Sequence, residues 1–514
     1  MADADKNDLV ACPENIIIDI GVRKPGERLV LYLDELAFGN PQKAKTQLAP
    51  GIFEAKQKLI DGRVAARVRQ IESGLTKARK QIAAVSKNPL NQFILDALSK
   101  DMEKLNGLLK NTRGDKINFD EVEPLFARIV CTCGDLSKLN AELASKAPML
   151  VYDVPNLTSG NFWILPSDVL IPGRISDVLE IRACRGEYEP ASLLIKPLRN
   201  IDQFAIKSSD LVGPGGKRIK AENIDIKYVQ VWYQAGGSGK SVNFKEGSVL
   251  TPELLVNDPN LVKVDYETQR NSLKLTFPDA VKYVDISDPR KIERKVLDNS
   301  EFPVKDAPAL MPVDLKNGSN QQIWITVHVP EDTQSGLYEG TIELKGENVL
   351  RFINLKVEVL PFELSDPYYT ASIDYHAELA EEGTIGSYQK NRTQMLAELK
   401  DMRAHGLTNI QHYFRVNEKA LKNITALRAL AGFSNDTLFL KGHGINYLND
   451  DEAYIEQSRA RVREIIDMAK KSGAREVYFY GRDEVTGDTL RKERKSWTAT
   501  REEGGKIFSG GRPS

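Results

Sequence analysis

From Asp366-Pro367 onward, short apolar runs recur with amphipathic helical patterns between them, and this recurrence constrains the fold more than any other feature. "YTASIDYH" precedes a helix carrying Met395, Leu396, Leu399 and Met402 that ends at Gly406, and "TNIQHYF" follows. A second helix leads to "TLFLKG". A third, with Ile455, Val462, Ile465, Ile466 and Met468, stops at Gly473 before "VYFY", and a charged helix then reaches "GKIF". Strands that alternate with helices pair in parallel, because each crossover returns the chain to the same end of the sheet. Four such units and the start of a fifth fill residues 366–514, whereas an eight-stranded barrel takes about 250 residues. The expectation is the N-terminal half of a (β/α)8 TIM-like barrel, truncated partway round.

Upstream the period changes twice. Over 149–365 it is two: "RFINLKVEV" sets Ile353, Leu355, Val357 and Val359 against Asn354, Lys356 and Glu358, and "IWITVHV" puts Ile323, Ile325, Val327 and Val329 on one face. Many such runs, broken by Pro, Gly and Asn, predict an antiparallel β-sandwich. Over 41–148 the period is helical. Ile60, Val64, Val68, Ile71, Leu75, Ala78, Ile82 and Val85 form one stripe, and Ile94, Leu98, Met102, Leu105 and Leu109 a second after an Asn88-Pro89 start signal. A third helix follows Asp120, with Leu125, Ile129, Leu136, Leu139 and Leu143 inward. This predicts a helical hairpin or bundle that packs on itself. Residues 1–40 hold two β-like runs joined by Lys-Pro-Gly-Glu, and "LVLYLDELAF" resembles the last strand of a carbohydrate-binding jelly roll. The fold class expected is multidomain, α+β and α/β.

A formal net charge of −1 over 514 residues gives no cationic footprint for nucleic acid. No run approaches the ~20 apolar residues of a membrane span, and MADADKNDLV lacks the pattern of a signal peptide. Cys12, Cys131, Cys133 and Cys184 are too few and scattered for a disulfide framework, and read as buried thiols. No cofactor and no metal are expected.

"QAGGSGKS" at 234–241 lacks the first glycine of a phosphate-binding loop and reads as a glycine-rich turn. "LRKERKSW" at 490–497 reads as a solvated helix face. His376, His412 and His443 each fall near the C-terminal end of a different strand, where barrels collect their reacting groups, but their spacing is not that of a metal site. Asp483 and Glu484 follow the strand "VYFY" through Gly481. A turn there releases them from strict alternation, so both carboxylates can face one pocket. Like charges so close disfavour double ionisation, which raises one pKa and keeps that group protonated as a general acid.

Several stretches together resemble glycoside hydrolase family 123 and its relatives of the DUF4091 type. "CRGEYEPASLLIKPL", "ENIDIKYVQVWYQAG" and "VPEDTQSGLYEGTIEL", with Gly336, Tyr338 and Gly340, resemble the family's sandwich domain, and "VYFYGRDEV" resembles its aromatic strand ending in Asp-Glu. The resemblance implies a β-sandwich followed by a (β/α)8 barrel, a glycan substrate and an extracellular or periplasmic location. It also implies retaining, substrate-assisted hydrolysis of N-acetylhexosaminides, N-acetylgalactosaminides above all. By position Glu484 would be the acid/base and Asp483 the group orienting the 2-acetamido nitrogen. Asp374, His376, His412, Tyr413 and Tyr480, with Tyr375, would line the sugar site. The competing expectation is a non-catalytic carbohydrate-binding or surface scaffold protein.

Overall fold

The computed structural model describes residues 49–510 except 86, 88–90, 111–116, 157–162, 235–247, 288–301, 364–368, 381–387 and 484–486. The expected jelly-roll strands at 1–40, the Asn88-Pro89 start signal, the glycine-rich turn at 235–241 and Glu484 lie outside the described residues. The chain divides into two compact units, Met1–Arg67 and Val68–Arg512. Of the first, the described part is the opening of the helix Ala49–Ala83.

Two β-sheets lie on a common apolar core. The first has six strands in the order Arg174–Ile175, Met149–Val154, Tyr188–Pro197, Gln321–His328, Ile224–Gln234 and Val249–Val256. The second is built around Val313–Leu315, Ile201–Ser208, Gly336–Gly346, Val349–Glu363 and Val178–Arg185. Ile323, Ile325 and Val327 of the one and Ile342, Leu344, Ile353, Leu355 and Val357 of the other are fully buried in a single cluster. The period of two therefore does what alternation predicts: one face of each strand fills the space between the sheets. The pairing departs from the expectation at one place. Val349–Glu363 is antiparallel to Gly336–Gly346 but parallel to Val178–Arg185. These last two strands are distant in sequence, and without a hairpin between them nothing forces opposed directions.

The helices Gln92–Lys110 and Phe119–Ala144, with the end of Ala49–Ala83, do not pack only on themselves. On the strand Met149–Val154, Met149 and Val151 enter the sandwich core while Leu150, Tyr152 and Val154 join Leu98, Leu105, Ile129, Leu136 and Leu139 in a helical core. Both faces of that strand are covered. Polar ties fix the contact: Asp135 accepts from the Ile175 amide at 2.6 Å, and Lys138 donates to the Ile175 carbonyl at 3.1 Å. Cys133 and Cys184 are buried free thiols, and burial pushes the Cys133 thiol up to about 11. Among the described residues no helix is long and apolar enough to cross a membrane.

The last part of the chain forms a five-stranded, all-parallel sheet in chain order: Ser372–His376, Asn409–Tyr413, Thr437–Leu440, Glu476–Tyr480 and Lys506–Phe508. Helices Arg392–Ala404, Glu418–Leu430, Glu452–Lys471 and Gly487–Glu502 connect successive strands. Asn391, Asn417 and Asp451 cap the first three, each side chain accepting from a backbone amide in the opening turn. Gly473, at φ 92°, ends the third where a side chain would be strained. Ile410, Leu438, Leu440, Val477 and Phe479 face the helices and share a core with Leu399, Leu427, Val462 and Ile465.

Candidate functional site

All five parallel strands end at the same edge, so residues at their C-terminal ends meet there. Asp374, His376, Tyr413, Lys441, His443, Tyr480, Gly481, Arg482 and Asp483, joined by Ile445, Asn446 and Tyr447, line a cleft of about 380 Å³. One carboxylate and three rings come from the alternation of the pleat, which sends Asp374 and His376, Tyr413 and Tyr480 to the face away from the helices. His376 meets the Tyr413 ring edge-on at 4.1 Å between centroids. Tyr413 is 45% exposed, enough for its face to take a ligand.

The polar groups of this cleft form a chain. Lys441 Nζ donates to Asp374 Oδ2 at 2.6 Å and lies 3.9 Å from the centre of the Tyr480 ring. The Tyr480 hydroxyl in turn donates to Asp483 Oδ1 at 2.7 Å. Burial, followed by this bond to a carboxylate, pushes the Tyr480 phenol up to about 12, so it stays a donor at neutral pH. Asp483 itself is exposed, and its Oδ2 takes no hydrogen bond from the described residues. One oxygen is fixed and the other is open.

Lys441 did not stand out in the sequence. A lysine after "TLFL" has no motif; only the order of the sheet, in which the second strand aligns the ends of the first and the third, brings it to Asp374. Its side chain is only 10% exposed, which is unusual for an unburdened surface lysine.

The three histidines separate. His376 is in the cleft, 3.7 Å from Asp374 Oδ2. His443 also borders the cleft but is only 4% exposed, its Nε2 donating to the Tyr480 carbonyl at 2.8 Å and its Nδ1 accepting from the Ile445 amide at 3.1 Å. Both ring nitrogens are thus used by the neutral tautomer, and burial, reinforced by Arg461, holds its pKa down to about 4. His412 does not reach the cleft. It sits on the helix-facing side with Ile410 and Phe414, 1% exposed, and its Nε2 accepts from Arg428 at 3.1 Å. Burial first and the neighbouring guanidinium second push its pKa far down. Tyr375 is on that same side, its hydroxyl donating to Glu398 at 2.7 Å, and so does not line the cleft either. Among the described residues no group of three His, Cys, Asp or Glu side chains can hold a metal ion.

Arg428 is the largest wholly buried side chain, with donors committed to Asn435 Oδ1 at 3.0 Å, His412 and the Ser434 carbonyl. Arg428→Met removes these donors and leaves their acceptors buried without partners. It is expected to lower unfolding stability by about 2 kcal/mol, read as a fall in the urea midpoint at unchanged slope.

The helix Gly487–Glu502 also differs from the solvated face expected of it. Arg491, Lys492, Arg494 and Lys495 are exposed, but Glu493, Ser496 and Thr500 are buried and Trp497 partly so. Their spacing of three and four is that of an inward stripe, hidden among charges.

Comparison with known proteins supports the sandwich rather than the cleft. Residues 269–346, which include the strand Arg270–Thr276 and the strands through Gly336–Gly346, match the family model of the glycoside hydrolase 123 N-terminal domain. No curated protein matches the chain. Similar solved structures include a family 123 glycoside hydrolase from Clostridium perfringens, at 11% identity over 70% of this chain and 63% of that one, with TM-score 0.42. A β-glucuronidase from Bacteroides uniformis follows at 10% identity over 64% and 32%, with TM-score 0.20. A family two carbohydrate esterase from Clostridium thermocellum is 7% identical over 62% and 81%, with TM-score 0.17. At such scores these three structures carry no argument about the cleft. The chain is similar to the N-terminal domain of glycoside hydrolase family 123, and the likeness rests on residues 269–346.

Proposed function

We propose that this protein is a glycoside hydrolase whose last domain, 366–514, is part of a (β/α)8 barrel, acting on glycans that contain N-acetylhexosamine. The observation that carries the reading is Asp483 at the strand-end cleft, with Oδ1 held by Tyr480 and Oδ2 open, immediately before Glu484 in the sequence. The family match within the sandwich supports the reaction class. The remaining expected domains stand with it: strands of a jelly roll at 1–40, the helical segment at 41–148 and the sandwich at 149–365.

In the proposed reaction the 2-acetamido oxygen attacks the anomeric carbon while the glycosidic C–O bond breaks and Glu484 gives its proton to the leaving oxygen. Asp483 Oδ2 accepts the acetamide N–H and stabilises the positive charge of the resulting oxazolinium. Water then attacks the same carbon, the bond from that carbon to the acetamido oxygen breaks, Glu484 takes a proton from the water, and two inversions give net retention. Asp374 and Lys441 offer an acceptor and a donor to sugar hydroxyls, and the exposed face of Tyr413 offers stacking.

The test is a pair of substrates. An aryl β-N-acetylgalactosaminide is expected to be hydrolysed with retention, read by proton NMR of the first-formed anomer, and the matching aryl β-galactoside, which lacks the internal nucleophile, is not. Equal turnover of both overturns the substrate-assisted mechanism. Saturable binding of N-acetylgalactosamine with no turnover of either supports the non-catalytic carbohydrate-binding alternative instead.

A further inference from the structure

Asp483 and Glu484 can act only if the backbone that presents them is held still. The segment Tyr480–Arg482 is anchored through four of its backbone polar atoms. The Tyr480 carbonyl accepts from His443 Nε2 at 2.8 Å. The Gly481 amide donates to the Phe508 carbonyl at 2.7 Å. The Arg482 amide donates to Glu493 Oε2 at 3.3 Å, and the Arg482 carbonyl accepts from Ser509 Oγ at 2.9 Å. Beneath the turn a Cβ on Gly481 would sit 3.0 Å from Trp497 Cζ2 and 3.3 Å from Ser509 Cβ, so a larger residue would make those neighbours give by a few tenths of an ångström.

Glu493 is the odd member. It is wholly buried, and among the described residues its second oxygen, Oε1, meets no partner at hydrogen-bonding geometry, although the Trp497 indole N–H is close enough to act on the carboxyl. A buried carboxyl with an unused oxygen costs stability, and an apolar side chain of similar size would pack there at less cost. Burial raises its pKa, opposed by the Arg482 amide and charge and by Trp497.

We infer that Glu493 is a positioning residue for the proposed acid pair: its buried carboxyl, through the Arg482 amide, fixes the turn that brings Asp483, the residue before Glu484 in the sequence, to the cleft. The inference rests on the glycosidase reading but has a readout independent of it. Glu493 lies behind the turn and touches no substrate; it acts through the backbone.

The experiment compares Glu493→Leu with Glu493→Gln in the full chain. Leucine removes the acceptor and the buried polar atoms together. Glutamine keeps a carbonyl that accepts from the Arg482 amide. The leucine variant is expected to unfold at the same or higher denaturant concentration than the parent, while hydrogen exchange at the Arg482 amide quickens at least tenfold. If the protein hydrolyses the aryl N-acetylhexosaminide, kcat falls at least tenfold with KM within about threefold. Glutamine is expected to restore both slow exchange and kcat to within about threefold of the parent. Unchanged exchange at Arg482 in the leucine variant overturns the positioning role whether or not the protein is an enzyme. A marked loss of global stability together with the loss of kcat overturns it in favour of a plain packing role. Absence of turnover in the parent, with exchange behaving as expected, sinks the glycosidase reading and leaves the anchor standing.

Discussion

Glu484→Gln is expected to cut turnover of an aryl β-N-acetylhexosaminide by about 10³-fold, within the range typical of a lost general acid. Glutamine keeps the size and hydrogen-bonding capacity of the side chain but has no proton to give the leaving oxygen. Affinity for the sugar is expected to stay within about threefold, because the proposed contacts of Asp374, Lys441 and Tyr413 are untouched. The assignment is sharpened by the leaving group. A dinitrophenyl glycoside departs as a stable anion and needs little help, so the variant's deficit is expected to shrink by at least tenfold relative to a plain phenyl glycoside. A deficit independent of the leaving group would remove Glu484 from the acid role. Asp483→Asn is the companion measurement: it leaves proton donation intact and weakens stabilisation of the cationic intermediate.

Acid is expected to destabilise the parallel-sheet part of the molecule, and His443 supplies the cause. Its folded pKa, about 4, lies below the ordinary 6.5. Above pH 6.5 the ring is neutral whether the chain is folded or not, and its contribution is fully present. Between 6.5 and 4 the unfolded chain takes up a proton that the folded one refuses, so stability falls as pH falls; below 4 there is no further loss. Across that window the loss amounts to roughly 3 kcal/mol, a large share of the 5–15 kcal/mol that keeps a typical domain folded. The geometry agrees: a protonated ring would set its new Nδ1–H against the Ile445 amide. His412, buried against Arg428, adds to the loss with the same sign. Carboxyls raised by desolvation, such as Asp153 and Glu493, work in the opposite sense. Urea unfolding at pH 7 and pH 4.5 isolates the term, since His443→Gln is expected to flatten the difference between the two. An equal pH dependence in parent and variant would sink the assignment.

The sequence carried the parallel sheet well because each of its signals is local. Met395 and Leu399, or Val462, Ile465 and Ile466, mark a helix by spacing alone, and all are buried as that spacing requires. The same is true of Ile323, Ile325 and Val327 in the sandwich. What stayed hidden depends on neighbours distant in the chain. Lys441 acquires its role only from Asp374, 67 residues earlier, and nothing short-range announces the pair. His412 and Tyr375 are instructive for the opposite reason. Their place on the helix side was available from alternation, since His412 shares its parity with the buried Ile410 and Phe414, but proximity to the strand end outweighed it. Glu493 was masked by its neighbours, four exposed cations that made the whole stretch look wet. The inward spacing with Ser496 and Thr500 was the stronger signal, because a face of a helix is set by angle and not by local charge.

The strand Met149–Val154 is apolar on two sides because it has two neighbours to satisfy, the opposite sheet and the helices. That makes the helical segment a lid that the sandwich cannot do without. Severing the chain near Ala147 would leave Leu150, Tyr152, Val154, Ile175 and Leu194 facing water as one greasy panel, inviting clumping before any question about sugars could be asked.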